Sequence, residues 1–172
     1  MNAIREGVKD KVDFIKTDLF NYDFSKATVL TLFLLPEINL RLRPRILNMK
    51  PGTKVISTTF TMQNWQHDDF VTIESSASDF TTAYLWIVPA KINGTWKFGE
   101  GEMKLTQQFQ MFTGEIVKDG KTVRITSGRL EGSDITFNAG GTIYTGKVTG
   151  NSMKGTSESA GKPVGWTAQK LK

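Results

Sequence analysis

Hydrophobic residues in the first sixty positions come in unbroken runs rather than in alternation. Val12-Asp13-Phe14-Ile15 is the first, Thr28-Val29-Leu30-Thr31-Leu32-Phe33-Leu34-Leu35 the second, and Thr53-Lys54-Val55-Ile56-Ser57, after Lys50-Pro51-Gly52, the third. Such runs suit strands covered on both faces, as in a parallel sheet, and the intervening segments are long enough for crossovers. The pattern predicts three strands with helices between them, the strand ending at Leu35 lying parallel to the one at Val55. Asp18 closes the first run and Pro36-Glu37 the second, and in such sheets ligands sit beyond the carboxyl ends of the strands.

The pattern changes near residue 70. Fourteen of the sixteen glycines lie at or after Gly94. Met103, Leu105, Phe109 and Met111 alternate with Lys104, Thr106, Gln108 and Gln110, which reads as one half-buried antiparallel strand. Gly128-Arg129-Leu130-Glu131-Gly132-Ser133-Asp134-Ile135 and Gly146-Lys147-Val148-Thr149-Gly150-Asn151-Ser152-Met153 share a template of strand, glycine turn and returning strand, eighteen residues apart. A looser copy runs from Gly114 to Val123. These words predict an antiparallel meander of about six to eight strands over residues 84–171, closing as a small sheet or partial barrel. Turns are expected near Gly94, Gly101, Gly120, Gly132 and Gly150. Tyr84-Leu85-Trp86-Ile87-Val88-Pro89, followed by the hairpin signal Asn93-Gly94, fits either the last edge of the first sheet or the first hairpin of the meander. The unit boundary falls at residues 91/92, or as early as about residue 70.

Three N-terminal words carry a resemblance. Val12-Asp13-Phe14-Ile15-Lys16-Thr17-Asp18-Leu19-Phe20, then Thr31-Leu32-Phe33-Leu34-Leu35-Pro36-Glu37-Ile38-Asn39-Leu40-Arg41-Leu42-Arg43-Pro44, then Lys50-Pro51-Gly52-Thr53-Lys54-Val55-Ile56-Ser57 occur in order and spacing similar to a bacterial class I S-adenosylmethionine-dependent methyltransferase. The likeness covers roughly the first third to half of the chain. It implies S-adenosylmethionine as cofactor, with Asp18 and Leu19 at the adenine and Leu34, Leu35 and Pro36 at the mouth shared by cofactor and substrate. It also implies a glycine-rich loop and an acidic ribose-binding residue upstream of these words. The only glycine before Gly52 is Gly7, so no G-x-G loop brings backbone amides to the cofactor here. Asn2-Ala3-Ile4-Arg5-Glu6-Gly7-Val8 resembles the end of the family's second helix, with Gly7 as its stop. The expected fold class is therefore α/β plus all-β: a partial Rossmann-like methyltransferase sheet over residues 1–91, N-terminally incomplete, and an antiparallel meander over residues 92–172. Gly94-Thr95-Trp96 and Gly165-Trp166-Thr167-Ala168 make the latter resemble a lipocalin-like meander as well.

Composition narrows the chemistry. The 172 residues suffice for one domain or two small ones. There is no cysteine, which excludes disulfides, thiolate catalysis and thiolate-bound metals. No charged-then-apolar leader opens the chain and its apolar runs are too short to span a bilayer, so a cytoplasmic address and no membrane partner are expected. The net charge is +5, yet residues 1–73 carry ten Lys/Arg against eight Asp/Glu and residues 74–172 twelve against nine. An excess spread so thinly argues against a nucleic-acid partner. The one cluster is Arg41, Arg43 and Arg45, expected to be solvated or paired with carboxylates such as Glu37. Pro44 is expected to end a short helical turn over residues 36–42 and open the next.

Residues able to carry chemistry are few. His67, the only histidine, excludes a histidine-rich metal site within one chain. In Trp65-Gln66-His67-Asp68-Asp69 it reads as part of a polar surface loop, the alternative being a base near a methyl acceptor. Asp18 is either a cofactor ligand or a turn-forming aspartate. Two function classes follow, beside a third, nucleic-acid binding through the basic excess. One is a methyltransferase acting on an unknown acceptor, whose in-line displacement needs mainly a positioned acceptor and a closed pocket. The other is a non-catalytic module whose meander holds a small ligand or a protein. With the glycine loop missing, the chain alone is expected to methylate nothing at a useful rate, and a homo-oligomer is the arrangement that would rebuild the site.

Overall fold

A computed structural model describes residues 2–73, 82–159 and 162–171. After a short helix α1 (Asn2–Arg5) and a single 3-10 turn (Lys9–Lys11), the chain runs as irregular backbone to β1 (Val29–Leu32). Helix α2 (Pro36–Ile46) connects β1 to β2 (Lys54–Thr58), and the two strands pair in parallel with Leu30 opposite Val55 and Leu32 opposite Ser57. β3 (Asp69–Thr72) and β4 (Thr82–Ile87) complete a mixed sheet of order β1-β2-β4-β3, both antiparallel to their neighbours. The parallel pair and its helical crossover follow the sequence pattern, and Tyr84-Leu85-Trp86-Ile87 belongs to this first sheet.

The first apolar run is not a strand. Residues 12–16 pair with no neighbour among the described residues, and Phe14 and Ile15 are 86% and 57% exposed. Nor does a helix join this run to β1. A single extended segment exposes its backbone donors and both its faces, and neither cost is recovered without an adjacent strand. Helix α2 likewise departs from expectation, because Pro44 lies inside it. Pro36 opens the helix, where a missing N–H costs nothing, and Asn39, Leu42 and Ile46 form its buried face at i, i+3 and i+7. Pro44 sits in the last turn, where it interrupts a single bond of a helix already held by that face.

Among the described residues the arginines of α2 form no ion pair with a carboxylate within 4.0 Å. Arg43 Nη1 donates to the Met62 carbonyl at 2.9 Å and to Asn64 Oδ1 at 2.7 Å. Arg45 donates to the carbonyls of Phe20 and Tyr22, the latter at 2.6 Å, and the Arg41 guanidinium lies 3.7 Å from the Phe20 ring centre. Carbonyls of the irregular loops, which have no ladder to join, are thereby satisfied by the helix.

From Gly94 the chain forms an eight-stranded closed barrel: β5 (Gly94–Phe98), β6 (Gly101–Gln108), β7 (Met111–Lys118), β8 (Lys121–Glu131), β9 (Asp134–Ala139), β10 (Thr142–Thr149), β11 (Ser152–Ser159) and β12 (Lys162–Lys170). Each strand pairs antiparallel with the next, and β12 closes on β5 with Ala168 opposite Phe98. Turns fall at Gly120, Gly132 and Gly150 as the sequence words predict. A turn also falls at Gly99 and Glu100, beside Gly101, which opens β6, whereas Gly94 opens β5. The expected strand over residues 103–111 is broken by a turn at Phe109 and Gln110, with Phe109 at φ +55°. Gln110 is consequently buried and Met111 46% exposed, the reverse of the alternation.

Two apolar clusters result. One lies between α2 and the sheet, around Leu42, Ile46, Val55, Trp65 and Trp86; the other fills the barrel, around Trp96, Leu130, Ile135 and Phe137. Inside the barrel the Trp166 indole lies across β10 and β11 and donates to the carbonyls of Thr145 at 3.1 Å and Thr156 at 3.0 Å. This needs glycine beneath the ring: a Cβ at Gly146 would meet Trp166 Cζ2 at 2.7 Å, and one at Gly155 would meet the Thr145 carbonyl at 1.9 Å.

The sheet is joined to the barrel by polar contacts. Gln107, on β6, accepts from Ile92 N at 2.7 Å and donates to the Ala90 carbonyl at 2.8 Å, while Gln110 Nε2 donates to the Gln66 carbonyl at 2.7 Å. Asp68 binds both units, accepting from Ile87 N at 2.8 Å and from Arg129 of β8 at 2.7 Å. Its side chain is only 6% exposed, and burial raises its pKa above 3.8 against the opposing pull of the Ile87 N–H and Arg129.

Candidate functional site

The carboxyl ends of β1 and β2 lie side by side, and the segments leaving them hold most of the chain's candidate chemistry. Leu34, Leu35 and Pro36 run from β1 into α2: Leu34 is half-buried against the sheet cluster, while Leu35 and Pro36 are exposed. Asp18 forms a turn, its Oδ1 accepting from Phe20 N at 2.9 Å and its Oδ2 from Asn21 Nδ2 at 2.8 Å. Leu19 packs on the same cluster as Leu34. The segment after Asp18 docks on Arg41 and Arg45, in the C-terminal half of α2, whereas Leu34, Leu35 and Pro36 stand at its N-terminus. The structure brings Leu19 and Leu34 to one cluster and engages the Asp18 carboxylate in its own turn.

A polar group missed from the sequence lies at this strand end. Asn39, fully buried on the apolar face of α2, donates from Nδ2 to Ser57 Oγ at the end of β2, at 3.0 Å. Its Oδ1, the hydroxyl of Thr59 and Trp65 Nε1 are buried without a hydrogen-bond partner among the described residues. A buried acceptor or donor left so costs about 1–3 kcal/mol, which normal packing avoids. Thr59 also sits at φ +70°, rare for a β-branched residue and a further sign of local strain. One signal was available: asparagine at position i of the α2 face that Leu42 and Ile46 continue puts an amide where a hydrophobic residue belongs.

His67 lies in the loop before β3, as its sequence setting predicts, but its ring turns inward. It is half-buried, its ring centre 5.1 Å from that of Tyr84, 5.3 Å from Phe70 and 6.3 Å from Trp86. Trp86 Nε1 donates to the Trp65 carbonyl at 2.8 Å, and Trp65 stacks on Phe109 with centres 5.9 Å apart. An aromatic group thus runs from β3 through β4 to the barrel turn, placing the imidazole among rings. Among the described residues no group of three or more His, Cys, Asp or Glu side chains is arranged to hold a metal ion, and no helix is long and apolar enough to cross a membrane.

Comparison with known proteins bears on the same segment. The ANTKMT methyltransferase domain model matches residues 1–69. A protein-lysine N-methyltransferase of Saccharolobus islandicus (strain REY15A) is 33% identical over 88 residues, which cover 51% of this chain and 54% of that protein. The crystal structure of an RNA methyltransferase from Salinibacter ruber in complex with S-adenosyl-L-homocysteine is 42% identical, covering 53% of this chain and 57% of that one with a TM-score of 0.47. The chain spans about half the length of these relatives. The match to the methyltransferase domain model falls on the N-terminal segment, which is thus similar to methyltransferases, and the Salinibacter ruber structure holds S-adenosyl-L-homocysteine.

Tested against S-adenosylmethionine, the residues of this chain do not close a site. Both Asp18 carboxylate oxygens are engaged in the turn with Phe20 and Asn21, while Leu35 and Pro36 are exposed. No glycine loop is present to carry the ribose and methionine parts.

Proposed function

We propose that residues 1–91 are the acceptor-side part of a Rossmann-like methyltransferase sheet, that residues 92–172 form an appended barrel domain, and that the chain alone binds S-adenosylmethionine weakly and transfers no methyl group. The observation that carries this reading is the coincidence of the family match with one structural unit: residues 1–69 contain the parallel pair β1–β2 and its connecting helix. In this reading Asp18 and Leu19 face the adenine and Leu34, Leu35 and Pro36 the cofactor mouth once the rest of the sheet is supplied. Asn39, Ser57 and Thr59 would then lie beneath the acceptor side, where the buried, unused Asn39 carbonyl oxygen can take an N–H from an incoming amine only once this strand end opens. A protein lysine is the acceptor this favours, in keeping with the protein-lysine N-methyltransferase relative.

Calorimetric titration of the 172-residue chain with S-adenosylmethionine and S-adenosylhomocysteine tests the reading. Losing two or three charge-assisted hydrogen bonds at roughly 1.5–3 kcal/mol each weakens binding by about two to six orders of magnitude. Millimolar or weaker binding is expected. Micromolar binding by a monomer refutes the reading. If a dimer binds tightly, Asp18→Ala must weaken it strongly and His67→Ala leave it nearly unchanged, or the site assignment fails.

A further inference from the structure

The two ends of the barrel differ. At the end facing the sheet, Ala90 and Ile92 are buried in the barrel core and Gln107 is bonded to both, so that end is stoppered by the chain itself. At the other end nothing among the described residues covers the inward-facing positions. Val123 and Val164, on the strand parity that points into the barrel, are 37% and 62% exposed. Between them lies a cavity of about 610 Å³ lined from seven of the eight strands, β6 alone contributing no residue. Only a space on the barrel axis is reached from strands all around it.

Three rings and three branched aliphatic side chains form the apolar part of its walls, with Thr142, Ser157 and Thr167 among the polar members. Phe98, Tyr144 and Trp166 line it, their centres 5.7–6.2 Å apart, and Tyr144 is backed by Phe137 in a parallel stack at 4.7 Å. Trp166 is fixed by its two carbonyl bonds and Tyr144 by its stack, so the rings are set before any ligand arrives. Preset walls reduce the ordering cost of binding. The volume lies within the range of small-molecule sites, and mutually tilted rings receive a flat ring by edge and face. Glu100 and Lys118 line it with opposite charges, giving no preference for an anion or a cation.

We propose that this open end of the barrel is a binding site for a neutral, planar, largely apolar small molecule of two or three rings. The proposal does not depend on the methyltransferase reading, since no residue is shared with the strand ends of the sheet.

The uncharged fluorophore N-phenyl-1-naphthylamine, titrated into the full chain, tests it. Saturable one-to-one binding is expected, weakened at least tenfold by Val164→Arg and unchanged by Phe14→Ser, which removes the most exposed apolar side chain of the irregular N-terminal segment. In the wild-type protein the same titration should shift the indole N–H resonance of Trp166 and leave that of Trp65 in place. This second readout stands even if a variant fails to fold. Absence of saturable binding, full retention of affinity in a folded Val164→Arg variant, or a shift confined to Trp65 would each overturn the assignment.

Discussion

Asp68 is the residue whose loss should be felt in both units at once. Asp68→Ala removes the acceptor of three donors: the Ile87 N–H at 2.8 Å, Arg129 at 2.7 Å and Gln110 at 3.5 Å. Gln110 retains its shorter bond to the Gln66 carbonyl and loses little. Arg129 has 45% of its side chain exposed and can be rehydrated, so its share is held to about 1 kcal/mol or less. The half-buried Ile87 N–H is left unpaired at about 1–3 kcal/mol. Relief from burying the carboxylate, the largest influence on its pKa, offsets part of this. The net expectation is a loss of about 1.5–3 kcal/mol at neutral pH. Asp68→Asn keeps an acceptor for Ile87 and should lose less.

The pH dependence has a definite sign. The folded protein holds the Asp68 proton more tightly than the unfolded chain, so the stability linked to that proton is fully present below the unfolded value of 3.8 and is lost as pH rises through the folded pKa, leaving the carboxylate's hydrogen bonds at neutral pH. The gap between wild type and Asp68→Asn should therefore move in favour of the asparagine variant as pH rises from about 4 toward neutrality. Urea unfolding followed by tryptophan fluorescence at several pH values measures both effects. An alanine variant within about 0.5 kcal/mol of wild type, or a gap moving the other way, would refute the reasoning.

Two further substitutions address the other inferred features. Gly155→Ala places a Cβ 1.9 Å from the Thr145 carbonyl and 2.5 Å from Gly146 Cα, so a loss of about 1–3 kcal/mol is expected, with a matching fall in thermal midpoint; an unchanged midpoint would show that the strands spread freely. The pair Asn39→Leu and Ser57→Ala removes both partners of a buried bond together with an orphan oxygen, and should change stability by less than about 1 kcal/mol in chemical denaturation. A loss above about 2 kcal/mol would mean that the amide is structural, leaving it no role toward an acceptor.

What could be read from the sequence was whatever a local period or turn residue decides. The run at Val29 and the run at Val55 are strands because each has the other beside it, and glycine words such as Gly128-Arg129-Leu130-Glu131-Gly132 mark a strand and its turn. Val12-Asp13-Phe14-Ile15 has the same composition and is no strand, because pairing depends on a neighbour that a local pattern does not reveal. Closure of the barrel was equally invisible locally, since it rests on β12 meeting β5. At the candidate site, word and spacing could propose Asp18 and Leu34, whereas Asn39, Ser57 and Thr59 come together only once α2 packs on the sheet. Pro44 misled because its cost was weighed without Leu42 and Ile46 holding the helix around it.

The seam between β12 and β5 sets an order on the life of the molecule. Seven of the barrel's eight junctions join strands consecutive in the chain, and these can zip as hairpins when each is made. The eighth pairs Phe98 with Ala168, about 70 residues apart, so its loop entropy is met only after all the others have formed. During synthesis the edge of β5 must therefore wait, unpaired, until β12 emerges. That edge carries Trp96 and Phe98, and an unpaired strand edge is a template for other chains. Slowing translation or truncating β12 should consequently yield aggregation through β5 rather than a soluble open sheet.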